Sequence, residues 1–488
     1  MVTPNIKEQT ISGVIWKFFE KFSIHFIVFI QSIIMARLLS PSDYGLIGMV
    51  TILNGICATL VDAGLTNALI RKKKATSQDF STVFVFNVVM NLLMAGVMVI
   101  CAPFLADFYS QPILKNIIYL FAVQGFSGAL LAVQGAKMIT NLQFKTLGLI
   151  NVITTIATGI VSITLAFTGW GVYALVIPNI VMIYIRFGLY YYYQHWFPGF
   201  YFSKESFTEL FGYGSRILAS NLLNVIFGNI YSIIIGKKFS AASLGYYTRG
   251  EGYATLPSSV INDVIKNVTF PVLSKIQDNI HELTTAYRRM LRITVLCLFP
   301  LMILLVVLAH PLVVIMISDK WVNCIVFLQI LCFSAMLQPV VSLAHNLLQI
   351  KGRSDVFLRI TILQKLMLIV IVLATVPLGI IYMCVGSVLL AYLTFIVNCY
   401  YIKKEINLGY IEQLKDLLPS FFLSLIMGGI VYFICSLIEI LLIKICVGFV
   451  LGLLLYGVMA KYFVANDFLY VQQLLKERFY NKFYGKDE

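Results

Sequence analysis

Basic side chains stand inside or at the ends of long apolar stretches of this chain. Because a charge in an apolar stretch is costly to bury, each such residue is a candidate for function. Ammonium and guanidinium groups bind phosphate through charge-assisted hydrogen bonds. These residues therefore predict a cationic cavity for an anionic substrate such as a lipid diphosphate, and the candidates are Lys17, Lys21, Arg37, Arg216 and Arg249. For Lys17 and Lys21 a second interpretation stays open, since long side chains near a span end also extend to the polar edge.

Carboxylates occur in the same stretches and form a second set of candidates, Glu20, Asp62, Glu251 and Asp263. Asp62 stands eight residues after Asn54, so the two lie roughly on one helix face. A hydrogen-bonded cluster between helices is the alternative explanation. We interpret these acids as partners of the cations or as sites that couple H⁺ or Na⁺ binding to movement.

Motifs typical of enzymes are missing from the sequence. There is no glycine-rich phosphate loop with its lysine, and the five histidines have no metal-ligand spacing. Most of the nine cysteines lie in apolar runs, where they act as small hydrophobic residues. We therefore expect no metal, no cofactor and no enzymatic activity.

The composition predicts an all-α polytopic membrane protein. The 488 residues are 60% hydrophobic and 12% charged, whereas soluble domains carry about 25% charged residues. The apolar runs are long enough for membrane helices and lack the alternation of barrel strands. We predict about fourteen spans, near 12–35, 44–70, 81–105, 114–138, 146–167, 170–193, 214–236, 246–272, 290–317, 323–349, 357–376, 379–401, 417–437 and 440–463.

The net charge of +14 is read as a topology signal, and no nucleic acid is expected as a partner. Most of the 36 Lys and Arg residues fall at alternate turns between the predicted spans. Cytoplasmic loops of membrane proteins carry this excess. The pattern therefore places both termini in the cytoplasm.

An internal repeat divides the chain. The segment IIMARLLSPSDYG (33–45) matches IIIGKKFSAASLG (233–245) at an offset of 200 residues, although a chance match is the alternative. Both segments enter the next span from the same side, as parallel repeats do. We predict a first six-span lobe over 1–200, a second over 201–405, an appended two-span hairpin over 406–466 and a cytoplasmic tail over 467–488.

The runs ARLLSPSDYGLIGMVTIL and DAGLTNALIRKK resemble the polysaccharide transporter branch of the multidrug/oligosaccharidyl-lipid/polysaccharide exporter superfamily, and its Wzx-type flippases in particular. The resemblance implies a V-shaped bundle of two six-helix lobes around a cationic cavity in the bacterial inner membrane. It also implies flipping of an undecaprenyl-diphosphate-linked glycan to the periplasmic leaflet by alternating access. The second repeat, with Ser240-Ala241-Ala242-Ser243, departs from the S-P-S-D pattern.

Our interpretation is a flippase for cell-surface polysaccharide biosynthesis (O-antigen, capsule or exopolysaccharide). Its expected partners are the lipid-linked oligosaccharide, membrane lipids, a coupling ion (H⁺ or Na⁺) and glycan polymerase machinery. A cation-coupled multidrug exporter of the same superfamily is the first alternative, and it would favour an acidic, aromatic cavity. A membrane-embedded glycan-modifying enzyme ranks lower, because every outside loop is short.

Overall fold

The computed structural model describes residues 23–72, 75–465, 467–470 and 472–473, apart from a few side chains inside helices. Within these ranges the chain is helical with short connections, and no strand occurs. Eleven of the described helices are long and apolar enough to cross a membrane. The predicted all-α polytopic membrane fold is confirmed.

The chain divides into two compact units, 1–245 and 246–488. In the first unit the helices are α1 (Ser23–Leu38), α2 (Pro41–Asp62), α3 (Leu65–Arg71), α4 (Ser77–Tyr109), α5 (Ile113–Thr140), α6 (Phe144–Phe167), α7 (Tyr173–Gln194), α8 (Lys204–Gly228) and α9 (Ile230–Lys238). The boundary falls within α10 (Ala241–Ser274). The second unit continues with α11 (Ile280–Val307), α12 (Ala309–Ile317), α13 (Cys324–Ile350), α14 (Ser354–Thr375), α15 (Ile380–Ile406), α16 (Tyr410–Ser436) and α17 (Leu441–Phe463).

The turn before α2 lies in the gap between the predicted spans 12–35 and 44–70 and has a clear local cause. The Ser40 hydroxyl accepts a hydrogen bond from the Asp43 backbone N–H at 3.3 Å, while the Asp43 carboxylate accepts one from the Ser40 N–H at 2.9 Å. This reciprocal capping satisfies N–H groups that the first helical turn leaves open. Pro41 occupies the first helical position, where its missing N–H costs nothing.

The predicted span 44–70 is not one helix. Ala63 and Gly64 adopt left-handed backbone angles, with φ of 44° and 70°, and separate α2 from α3. Two consecutive left-handed residues end an α-helix. A methyl group at Gly64 would lie 2.6 Å from the carbonyl oxygen of Gly214, so close packing on α8 also favours glycine there. Asp62 is therefore the last residue of a helix and not the middle of a span.

The two repeat segments have the same local structure. α1 ends at Leu38 and α2 begins at Pro41, while α9 ends at Lys238 and α10 begins at Ala241. In both connections a serine accepts a backbone hydrogen bond from the residue three positions later. The two repeat segments therefore share one local structure.

The starts of α2 and α10 pack against each other through their glycines. A methyl group at Gly45 would overlap the carbonyl oxygen of Ala241, and one at Gly245 would overlap the carbonyl oxygen of Pro41. The contact is reciprocal, since each repeat offers a glycine to the first residue of the other repeat's helix. Residues that are 200 positions apart in the sequence therefore make equivalent contacts in the structure.

In the second unit, ion pairs tie α16 to α11. Asp416 is 7% exposed and accepts hydrogen bonds from Arg288 Nε at 2.7 Å and Nη2 at 2.8 Å. Arg292 lies 3.3 Å from the same carboxylate and 2.8 Å from Asp467. A two-pronged arginine pair fixes geometry as well as charge. The first helix of the predicted C-terminal hairpin is therefore anchored to the helix α11.

Within the described residues a helical segment lies at every predicted span, with two further breaks, and residues 12–22 of the first predicted span lie outside the described residues. Asn229 separates α8 from α9, and Leu308 separates α11 from α12. α10, which carries Arg249, Glu251 and Asp263, is not among the eleven apolar helices found in the described residues. The total of fourteen spans and the domain bounds at 200, 405 and 466 stay predictions.

Candidate functional site

A cavity of about 270 Å³ lies in the first unit between α2, α4 and α5. Small residues on α5 leave the space open, among them Gly125, Gly128 and Ala132. Five of its lining residues carry carboxamide or carboxylate groups: Asn54, Asp62, Asn87, Asn91 and Gln124. Such a concentration of polar groups inside an apolar helix bundle marks this cavity as a candidate site.

The α2 wall of the cavity follows helical periodicity. The cavity is lined by Asn54, Cys57, Ala58, Val61 and Asp62, which follow the i, i+3, i+4, i+7, i+8 spacing of one helix face. The prediction that Asn54 and Asp62 share a face is confirmed. Asp62 takes part in none of the ion pairs that the described side chains form.

The α4 and α5 walls carry buried carboxamides whose hydrogen bonding is incomplete. Asn87 is fully buried, and among the described residues neither its Oδ1 nor its Nδ2 has a hydrogen-bond partner. Gln124 Oε1 is buried in the same state, whereas Asn91 Nδ2 donates to the Asn87 carbonyl at 2.8 Å. Leaving such a group unsatisfied costs about 1–3 kcal/mol. A ligand that offers hydroxyls or a positive charge would remove that cost.

A second set of candidates lies on α10 in the second unit. The Arg249 guanidinium is half-buried, 5.4 Å from the Trp321 ring centroid and 5.6 Å from that of Tyr253. Aromatic faces attract a cation electrostatically and hold it in place. Glu251, also half-buried, accepts a hydrogen bond from the Tyr247 hydroxyl at 3.2 Å. α10 thus presents a positioned cation and a positioned acid.

The neighbouring Gly250 explains how α10 reaches this position. A methyl group there would lie 2.9 Å from the Leu328 backbone nitrogen. The two helix backbones α10 and α13 therefore approach closely, as small residues permit in membrane bundles. This approach brings Arg249 next to Trp321, which lies just before α13.

The other predicted residues are spread over the chain. Arg37 is exposed in the last turn of α1, and Asp263 is exposed on α10. Arg216 belongs to α8, but its side chain lies outside the described part, as do Lys17, Glu20 and Lys21. The site roles assigned to all of these residues stay predictions.

Sequence reasoning missed three residues of the cavity, Asn87, Asn91 and Gln124. A signal was present, since Asn87 and Asn91 stand four residues apart in an otherwise apolar run and so share a helix face. Neutral carboxamides attract less notice than charges, although they too are costly to bury.

Fold and site together define a multi-pass helical membrane protein with a polar cavity inside one unit. A sequence model of the family described as "Polysaccharide biosynthesis protein" matches residues 34–326. The chain belongs to this family, and the resemblance to the polysaccharide transporter branch is confirmed.

Individual relatives agree with the family match. The chain is 24% identical over 434 residues to the lipopolysaccharide biosynthesis protein WzxC of Escherichia coli (strain K12), covering 86% of each chain. It is 25% identical over 356 residues to the teichuronic acid biosynthesis protein TuaB of Bacillus subtilis (strain 168), covering 72% of this chain and 73% of TuaB.

Among solved structures, the lipid II flippase MurJ in an inward closed conformation matches with a TM-score of 0.76 at 15% identity. The match covers 93% of this chain and 99% of MurJ. At this level of identity the match establishes a shared fold.

Proposed function

We propose that this protein is a flippase that carries an undecaprenyl-diphosphate-linked oligosaccharide across the bacterial inner membrane by alternating access. It would act without enzymatic chemistry, with both termini in the cytoplasm, in the synthesis of a cell-surface polysaccharide. One observation carries the proposal: a chain of the polysaccharide biosynthesis family holds a half-buried guanidinium, that of Arg249, 5.6 Å from the Tyr253 ring centroid and 5.4 Å from that of Trp321 in its second unit.

The chemistry of the cargo explains why a cation would be held there. A diphosphate must leave the headgroup region to cross the bilayer, and this transfer is costly for an unpaired charge. A guanidinium forms paired hydrogen bonds with phosphate oxygens, and the aromatic rings keep it from turning away. We assign diphosphate binding to Arg249, with Lys17, Lys21, Arg37 and Arg216 as further candidates.

The acids would supply the coupling to an ion gradient. Asp62 faces the cavity of the first unit together with carboxamides whose hydrogen bonding is incomplete. Oxygen ligands of this kind suit Na⁺, and the carboxylate alone suits H⁺. We assign the coupling site to Asp62, with Glu20, Glu251 and Asp263 as further candidates, and expect glycan polymerase machinery as a partner.

The test is a leaflet-exchange assay in proteoliposomes with a fluorescent undecaprenyl-diphosphate oligosaccharide. We expect wild type to move the lipid and Arg249→Gln to move it at least about tenfold more slowly, the factor that corresponds to 1.4 kcal/mol. Lys115→Gln is the matched control, because it removes one exposed positive charge from the first turn of α5. Thermal unfolding of each variant checks that it is folded.

Two outcomes would contradict the proposal. If Arg249→Gln and Lys115→Gln slow movement equally, then Arg249 does not bind the diphosphate. If folded wild type expels a cationic dye but leaves the lipid in its leaflet, the protein is a multidrug exporter of the same superfamily.

A further inference from the structure

A second cavity, of about 550 Å³, lies in the first unit at the ends of several helices. The end of α3 contributes Arg71 and Lys72, the start of α4 contributes Ser77, and the end of α5 contributes Lys137. Trp196, in the connection after α7, completes the wall. With Phe80 and Thr140 also in its lining, the cavity combines three cations, two aromatic rings and two hydroxyl groups at one end of the helix bundle.

Lys137 is held against Trp196. Its ammonium nitrogen lies 3.3 Å from the ring centroid, and the ring is fixed in turn by an edge contact with Phe80, with centroids 6.0 Å apart. A ring face attracts the cation without neutralising it. The ammonium has three N–H donors, and Lys137 lines the cavity, so donors are available for an anion there. Lys137 takes part in none of the ion pairs formed by the described side chains.

Lys72 differs from Lys137 because it forms ion pairs with two carboxylates. Its ammonium lies 3.0 Å from Asp79 and 2.8 Å from Glu209. The hydrogen bond with Glu209 is the main reason why the pKa of Lys72 is raised above its ordinary value. Lys72 therefore ties the end of α3 to α4 and α8, and Arg71 and Lys137 are the other two cations that line the cavity.

The cavity's place in the chain favours a lipid as the source of an anion. Arg71 and Lys137 belong to turns that the charge pattern assigns to the cytoplasm, and clustered basic residues on that side bind anionic headgroups. The residues before Trp196 are the exposed Tyr191, Tyr192 and Tyr193, a composition typical of the membrane interface. A headgroup could enter this cavity while its chains stay in the bilayer.

We propose that this cavity binds the phosphate of a lipid headgroup, with Lys137 and Arg71 as its ligands and Trp196 as the support of Lys137. The phosphate belongs either to an anionic phospholipid or to the prenyl-diphosphate cargo before transport. The cargo alternative rests on the proposed function, whereas the phospholipid alternative does not. Both place a lipid-phosphate site at the cytoplasmic end of the first unit, separate from the cavity that contains Asp62.

The test measures lipid binding to the purified full-length protein in detergent, read as the rise of its unfolding temperature with added lipid. The probes are phosphatidylglycerol, undecaprenyl diphosphate, phosphatidylcholine and inorganic pyrophosphate. We expect the two anionic lipids to stabilise wild type and phosphatidylcholine to have little effect. In Lys137→Gln the half-saturating concentration should rise about tenfold, which corresponds to the loss of about 1.4 kcal/mol.

Matched variants separate a site from general electrostatics. Lys137→Arg keeps the charge over the Trp196 ring and should bind as wild type does. Lys145→Gln removes an exposed charge at the start of α6, a residue that is not among those lining the cavity, and should shift half-saturation less than twofold. Arg71→Gln should weaken binding as Lys137→Gln does.

The outcomes distinguish the two lipid sources. Tighter binding of undecaprenyl diphosphate identifies the cargo, and equal binding of phosphatidylglycerol identifies bulk phospholipid. The proposal is overturned if pyrophosphate stabilises as well as either lipid, or if Lys145→Gln weakens binding as much as Lys137→Gln. Because binding is measured without transport, failure of the leaflet-exchange assay leaves this proposal intact, and failure here leaves the flippase intact.

Discussion

Asn87 illustrates how a single buried side chain separates stability from function in this protein. Its carboxamide is fully buried, and no described residue forms a hydrogen bond with either of its polar atoms. Burying such a group unsatisfied costs about 1–3 kcal/mol, and an apolar group of the same shape avoids that cost. Proteins retain such groups where a ligand or a conformational change uses them.

We predict that Asn87→Leu stabilises the protein and weakens transport. The expected gain is about 1–2 kcal/mol, because leucine has a similar volume and no unsatisfied polar atoms. Chemical unfolding in detergent measures the stability, and leaflet exchange in proteoliposomes measures the activity. A variant that is less stable than wild type would show that Asn87 has a partner in the folded protein.

Among the described residues that line the 270 Å³ cavity, Asp62 is the only carboxylate. We predict that Asp62→Asn, which keeps the shape and removes the charge, abolishes the dependence of transport on an ion gradient. Transport with a gradient should fall about tenfold or more, whereas the unfolding temperature should change little. Leaflet exchange with and without imposed H⁺ and Na⁺ gradients tests this prediction. A gradient response equal to that of wild type would remove Asp62 from the coupling site.

Single residues differ in how well the sequence predicted them. The face shared by Asn54 and Asp62 followed from helical periodicity, and the structure confirms it. The contact of Arg249 with Trp321 did not follow, because Trp321 stands 72 residues further along the chain. Contacts between residues so distant in sequence depend on how helices pack, which periodicity within one helix does not determine.

At the level of helices, the reciprocal contact between α2 and α10 leaves no room for a side chain at Gly45 or at Gly245. Both Gly45 and Gly245 are buried, and a methyl group on either would overlap a backbone oxygen of the opposite helix. Backbone atoms cannot rotate aside as a side chain can, so the two helices would have to separate. Overpacking of this kind typically costs about 1–3 kcal/mol.

We predict that Gly45→Ala lowers stability by about 1–3 kcal/mol and that Gly245→Ala does the same, because the contact is reciprocal. Gly96→Ala on α4 is the matched control. A methyl group there meets no atom within 4 Å, so only the higher helix propensity of alanine acts, and stability should rise slightly. Unfolding in detergent measures all three variants. A neutral Gly45→Ala would mean that the two helices do not touch in the protein as purified.

The helices themselves were largely predictable, and their breaks were not. Long apolar runs located a helix at each expected span, and Ser40, Pro41 and Asp43 marked the start of α2. The break at Ala63-Gly64 was missed because the residues from Tyr44 to Ile70 are almost all apolar, and Asp62 was interpreted as one charged residue within a single span. At this break α8 approaches closely through Gly214. The only sign of this tertiary contact in the local sequence is the glycine at position 64.

For the whole molecule, the dominant feature is the large number of exposed apolar side chains in both units, such as Ile100 and Phe104 on α4 and Leu454 on α17. In water such surface would be strongly unfavourable, so lipid must cover it. This requirement follows from composition, which is why the fold class was predictable from the sequence. The boundary between the two units is harder to predict from the sequence, since it falls inside the continuous helix α10.

Topology provides the last prediction, and α5 offers a matched pair of residues to test it. Lys115 is exposed in the first turn of α5, and Lys145 is exposed just beyond its end, in the first turn of α6. The 28 residues of α5 rise about 40 Å, which is the thickness of a bilayer with its headgroups. The charge pattern places Lys115 outside the cytoplasm and Lys145 inside.

We therefore predict that a membrane-impermeant maleimide labels Lys115→Cys in intact spheroplasts but labels Lys145→Cys only after permeabilisation. Wild type provides the background from its nine cysteines, of which Cys297 and Cys446 are exposed. Both termini follow from the same orientation, because an even number of spans returns the chain to its starting side. The reverse labelling pattern would show that the protein has the opposite orientation in the membrane. It would place the cavity of Lys137 and Trp196 at the outer leaflet, where a headgroup leaves the protein after transport instead of entering it.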